Sequence, residues 1–139
     1  MVQLIVGEKG KGKTKIILEK VNGEVSKATG NIVYLDKSTK HMYELNKEVR
    51  LINIQNYMVE NADEFIGFVC GIISQDHDLE AMYLDSFLKI ACVEEADLEV
   101  VLKKLDAVSK QFNIDFTVSV GVDESALTPS FKEQIIVSL

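Results

Sequence analysis

Short apolar runs alternate along the chain with longer stretches whose apolar residues recur every three to four positions. A run of about five apolar residues fits a strand buried on both faces, and a 3.6-residue period fits a helix with one buried stripe. The runs predict five strands, at Val2–Val6, Asn31–Asp36, Arg50–Ile54, Ala81–Asp85 and Ile114–Val120. Helical stretches fall at Lys13 to about Lys27, around Thr39 to Lys47, from Asn61 onward, and from about Glu94 to Phe112. Thr128 and Pro129 predict the cap and first turn of a last short helix.

Two of the helices are strongly marked. Asn61 stands in cap position with Glu64 three residues on, the spacing of a capping box, and Phe65, Ile66, Val69, Ile72 and Ile73 follow on one face. The segment ending at Phe112 opens with Glu94, Glu95 and Asp97 and carries Lys103, Lys104 and Lys110 towards its far end, which suits the helix dipole. Leu98, Val101, Leu102, Leu105, Val108 and Phe112 form its stripe. Strands alternating with helices predict an α/β fold, a parallel sheet covered on its faces. With 139 residues and neither linker nor repeat, residues 1–139 read as a single domain.

Composition narrows the class. The chain is 47% hydrophobic and 27% charged with a single Pro, which excludes disorder and collagen-like repeats. Its apolar runs are far shorter than the ~20 residues of a membrane span, so no membrane insertion is expected. Met1–Gly7 has no basic segment ahead of a long apolar stretch, so it is no secretory signal. Cys70 and Cys92 lie in apolar sequence and read as reduced core thiols, in keeping with a cytoplasmic protein. The net charge of −7 argues against binding to DNA or an anionic membrane. Residues 1–50 nevertheless hold ten bases and six acids, while residues 51–139 hold five bases and sixteen acids. The bases concentrate at Lys9, Lys11, Lys13 and Lys15, a local positive focus that fits a small anion better than a polymer.

Gly7-Glu8-Lys9-Gly10-Lys11-Gly12-Lys13-Thr14 matches G-x-x-x-x-G-K-[ST] at every fixed position. Such a match arises by chance in on the order of one chain in a few hundred, and here it follows a predicted strand and opens a predicted helix, as a phosphate loop requires. Glycines let backbone amides turn inward around phosphate oxygens, and the helix N-terminus adds partial positive charge. Lys13 is placed to reach the β- and γ-phosphates and Thr14 to offer its hydroxyl to Mg²⁺. Gly7, Glu8, Lys9, Gly10, Lys11, Gly12, Lys13, Thr14 and Lys15 are therefore the expected nucleotide-binding residues. A phosphate loop also needs an Asp at the carboxyl end of a neighbouring strand to hold the metal through water. Asp85, after Ala81-Met82-Tyr83-Leu84, is the candidate, with Thr14 as its partner. Asp36 ends the second strand and reads equally as a second acid or as a cap for the segment that follows; Lys13 and Asp36 are the catalytic candidates.

With these residues in place the chain resembles P-loop NTPases, and the order of its elements resembles their RecA-like branch. Asp85 is followed by Ser86, as the metal-binding Asp of that branch often is. The chain also resembles small bacterial P-loop proteins labelled after twitching-motility ATPases, although it has none of the arginine-rich and histidine-rich catalytic elements of the longer motility enzymes. The resemblance implies a three-layer fold around a mainly parallel five-stranded sheet of order 5-1-4-3-2, and it implies ATP and Mg²⁺ as ligands. It also implies a glutamate to orient the attacking water, yet the corresponding positions read Asp36-Lys37-Ser38 and Ser86. Arg50 is the only arginine and begins the third strand, away from the phosphates. The fifth strand, Thr117-Val118-Ser119-Val120-Gly121, ends without the polar residue that often reads the γ-phosphate.

Other clusters carry less. Asp76-His77-Asp78 precedes the fourth strand and reads as a solvated turn at the opposite end of the sheet. His41 has no evident acid or nucleophile partner, and four scattered tyrosines without any Trp build no stacking platform for single-stranded nucleic acid. The resulting expectation is an ATP- and magnesium-binding P-loop protein whose hydrolysis is weak or depends on a partner. The alternative is a degenerate P-loop module acting in protein–protein association or self-association without catalysis.

Overall fold

Alternation along the strands sorts side chains onto two faces, and each face carries its own core. The computed structural model describes residues 1–139. Its strands are β1 (Val2–Val6), β2 (Asn31–Asp36), β3 (Arg50–Asn53), β4 (Leu79–Leu84), β5 (Asp115–Val120) and β6 (Ile135–Ser138). Its helices are α1 (Lys13–Val25), α2 (Ala62–Gln75), α3 (Phe87–Ile90), α4 (Leu98–Phe112) and α5 (Pro129–Lys132). On one face Ile5, Ile32, Tyr34 and Tyr83 pack with Ile17, Leu18, Val21 and Val25 of α1. On the other, Leu4, Val6, Val33, Leu35, Met82, Leu84, Phe116 and Val118 meet Phe65, Val69 and Ile73 of α2 and Leu98, Val101, Leu102 and Leu105 of α4. Burying each such side chain contributes about 1.5–3 kcal/mol, so both layers are held firmly to the sheet. The result is a three-layer α/β fold, and no helix is long and apolar enough to cross a membrane.

The sheet has six strands in the order β3-β2-β4-β5-β1-β6, and every pairing is parallel. This corrects the expected count of five and the order 5-1-4-3-2, because β5 lies between β1 and β4 and the predicted third strand is an outer edge. If β3 is set aside and the remaining five are renumbered along the chain, the order from β6 inward is again 5-1-4-3-2. The unforeseen strand is β6, four residues long and half-buried at an edge, too short for its alternation to stand out.

Other boundaries shift for physical reasons. The expected helix over Thr39–Lys47 is a series of turns, with Met42 N–H donating to Thr39 C=O and Glu44 N–H to His41 C=O. The Asn22 side chain from α1 competes for this backbone, donating to Glu44 C=O and accepting from Asn46 N–H. The segment after Glu94 begins with a separate 3-10 turn at Glu95–Asp97, and the helix proper starts at Leu98. Phe112, placed in the buried stripe, is 44% exposed at the helix end. Cys92 is exposed and Cys70 half-buried, so neither is a core thiol. At Asn61 the cap forms: its Oδ1 accepts from Glu64 N–H at 2.9 Å, and Glu64 Oε1 accepts from Glu60 N–H at 2.7 Å.

Candidate functional site

In a parallel sheet the loops at the carboxyl ends of the strands form the crevice where ligands bind. Residues 7–12 leave β1 at that end and turn into α1. Gly10 and Gly12 sit at φ +87° and +96°, where a side chain costs roughly 1–2 kcal/mol. A Cβ would meet nothing within 4 Å at either glycine, so the requirement is conformational rather than steric. Gly12 is the N-cap of α1. It supplies no capping oxygen, and the first turn of α1 holds no acid. The first N–H groups of α1 therefore lack the side-chain partner that Asn61 gives α2, and they are free for an anion.

Lys13 opens α1 with its Nζ donating to Glu8 C=O at 3.1 Å. Partial burial draws its ammonium below the ordinary lysine value, and the Asp85 charge opposes that shift. Lys13 and Asp85 line one cleft of about 570 Å³, within the ~300–1,000 Å³ typical of small-molecule sites. Lys9, Gly10, Gly12, Lys13 and Thr14 of the glycine-rich loop line it together with Lys37, Lys40, His41 and Lys89, and Leu88 is the single apolar lining residue.

Asp85 follows β4 and is 2% exposed. Tyr34 Oη donates to its Oδ2 at 3.0 Å, while Ser119 Oγ at 2.5 Å and Ser86 N–H at 2.9 Å donate to Oδ1. Ser119 Oγ also accepts from Ser86 N–H at 3.0 Å. Three of the carboxylate's roughly four lone-pair directions are thereby taken, which holds it in one orientation. Asp36 ends β2 and is equally buried. Its Oδ1 accepts from Lys37 N–H at 2.7 Å, and its Oδ2 has no partner. Burial raises the Asp36 carboxyl above its ordinary value, and Asp85 adds to the shift.

Of the residues singled out in the sequence, Lys9, Gly10, Gly12, Lys13, Thr14 and Asp85 line the cleft together. Gly7, Glu8, Lys11, Lys15 and Asp36 lie outside its lining, Asp36 next in sequence to the lining residue Lys37. Arg50 stands at the amino end of β3 and pairs with Asp76 at 3.4 Å. Asp76 is not a solvated turn residue, since it also accepts two bonds from the Asn31 amide and one from Asp78 N–H. His41, expected to lack a partner, has Nδ1 3.4 Å from Glu44 Oε1. Tyr34 and Ser119 carry no motif in the sequence, and the structure brings both to the Asp85 carboxylate. Ser119 is fully buried and lines the cleft. Its signal was a hydroxyl inside a strand buried on both faces, where a polar group must find a partner.

No group of three or more His, Cys, Asp or Glu side chains is placed to cage a metal. The donor set fits magnesium instead, which takes one or two carboxylates, keeps waters and binds phosphate oxygens. Thr14 and the remaining lone pair of Asp85, both in the cleft lining, are such donors.

No protein-family model and no curated protein matches the sequence. Among the solved structures that match is the flagellar accessory protein FlaH from Methanocaldococcus jannaschii, with a TM-score of 0.55 and 10% identity. The match covers 93% of this chain and 63% of that one, so this chain spans less than two thirds of its length. At that identity the likeness is one of fold, a three-layer α/β arrangement around a parallel sheet.

Proposed function

We propose that the protein binds a purine nucleoside triphosphate, ATP with magnesium, in the cleft between the phosphate loop and the ends of β2 and β4. The observation that carries this reading is the uncapped, glycine-led N-terminus of α1, with Lys13 and Thr14 lining the same cleft as the oriented carboxylate of Asp85. Residues 7–15 form the loop that cradles the phosphates, and Lys13 exchanges its bond to Glu8 C=O for phosphate oxygens. Thr14 and Asp85 hold the hydrated metal, with Tyr34 and Ser119 fixing Asp85. Magnesium held by Thr14 and Asp85 would supply positive charge against the phosphate oxygens. Asp36 is the second acid beside the site. It acts through its neighbours rather than by direct contact, since it is not among the residues that line the cleft.

Hydrolysis by the isolated chain is weak or depends on a partner. Neither Glu nor Arg lines the cleft, so no group matches the usual water-orienting glutamate or arginine finger. The same observation favours a second reading, a nucleotide-dependent association module without catalysis. A thermal-shift panel of ATP, ADP, GTP and GDP with and without magnesium tests the proposal. A ligand at 100 times its dissociation constant stabilises the fold by about 2.7 kcal/mol. No shift with any nucleotide up to millimolar concentration would refute nucleotide binding, and binding without turnover would favour the module.

A further inference from the structure

Lys37 follows Asp36 at the end of β2, and Lys89 lies in α3, four residues beyond Asp85. Both line the same cleft as Lys9, Lys13, Thr14 and Asp85. The ion pairs of the chain involve the N-terminus, Lys20, His41, Arg50, Lys104 and Lys110, so neither Lys37 nor Lys89 has a carboxylate partner. The same holds for Lys9 and Lys40 in the same cleft. Two ammonium groups brought together without an acid repel each other. Lys37 beside it, and then Lys9, draw the Lys89 ammonium below its ordinary value. In a chain with 22 acids against 15 bases, this group of unpaired lysines lacks only an anion.

The position of the pair identifies that anion. The phosphate loop already supplies the N–H groups of α1 and the Lys13 ammonium for the phosphates that it cradles. Lys13 and Asp85 line one cleft, and Lys37 and Lys89 extend from the ends of the two strands that carry Asp36 and Asp85. A phosphate chain seated in the loop with its terminal group towards Asp85 occupies the cleft that these two lysines also line.

We propose that Lys37 and Lys89 clamp the terminal phosphate from within the same chain, so that the site selects nucleoside triphosphate over diphosphate. This rests on the nucleotide reading above. The clamp takes the place of an arginine contact, because Arg50, the only arginine, is held by Asp76 at the other end of the sheet. Lysine serves such a contact as a point charge, without the bidentate geometry of arginine.

Calorimetric titration of wild type, Lys37→Gln, Lys89→Gln and the double variant with Mg·ATP and Mg·ADP tests the clamp. Lys27→Gln/Lys103→Gln, outside the cleft lining, makes the same change in net charge and serves as the control. The double variant is expected to bind ATP at least tenfold more weakly while ADP affinity stays within about twofold, which also shows that it is folded. The control is expected to keep the wild-type ratio. An unchanged ATP-to-ADP ratio in the double variant, or an equal loss for both ligands, overturns the clamp and leaves the nucleotide reading standing. Failure of wild type to bind either ligand overturns both.

Discussion

The Tyr34 hydroxyl donates to Asp85 Oδ2 at 3.0 Å, joining neighbouring strands β2 and β4 through two side chains that are both buried. Burial first, and the Asp85 charge second, push the Tyr34 phenol far above its ordinary value. It remains a donor at any pH at which the fold would be assayed. Tyr34→Phe removes one of three donors to a buried carboxylate and fills the same space. Hydrogen bonds to charged groups contribute about 1.5–3 kcal/mol, and urea denaturation should show a loss of that size. A loss below about 0.5 kcal/mol would mean that Asp85 does not depend on Tyr34.

Asp36 should make stability depend on pH in the opposite sense to a salt-bridged carboxylate. Its folded pKa lies above the ordinary aspartate value of 3.8, so the folded state holds the proton more tightly than the unfolded chain. Stability then falls as pH rises from 3.8 through the folded pKa, and at neutral pH the buried charge costs free energy. Without nucleotide, Asp36→Asn is expected to melt above wild type at pH 7, and the gap should narrow as pH approaches 4. A gap independent of pH, or a variant melting below wild type at pH 7, would contradict this account of the orphaned Oδ2.

The glycine-led turn into α1 and the Asp that follows β4 were legible in the sequence because their patterns are local. Glycines at fixed spacing and an Asp closing an apolar run need no knowledge of which strand neighbours which. Ser119 and Tyr34 were not legible, because their link to Asp85 exists only once β4 lies between β2 and β5, and local alternation does not encode strand order. The lysine pair failed for the same reason, since Lys37 and Lys89 are 52 positions apart in the chain. The Thr39–Lys47 stretch shows tertiary structure overriding propensity. Leu45 is its only buried side chain, and Asn22 holds its backbone in turns.

Asp85→Asn separates the metal role from a structural one. The amide keeps the shape of the side chain and removes the charge that would hold hydrated magnesium. The variant should lose more of its magnesium-dependent ATP affinity than of its magnesium-free affinity, as read by titration with and without chelator. Equal loss in both conditions would assign Asp85 to the turn after β4 alone.

Turnover should be slow. Without an arginine finger, small GTPases hydrolyse at about 10⁻⁴ per second, and supplying one raises the rate by about 10³–10⁵. Phosphate release by dilute purified protein is expected well below one per second, with Lys13→Ala as the contamination control. A faster rate that disappears in the control would reveal a water-activating group in this cleft, and Asp36 would be the first residue to substitute.

The central claim is that the loop from Gly7 to Thr14 seats a nucleotide through Lys13. Lys13 makes one bond to the protein, to Glu8 C=O, so its loss should leave the fold unchanged. Calorimetric titration of Mg·ATP into wild type and Lys13→Ala tests the claim most directly. The expected result is saturable binding to wild type and a loss of at least tenfold in the variant, about 1.4 kcal/mol, with the same melting temperature without ligand. Equal affinity in the two proteins, or no binding to wild type, would contradict it.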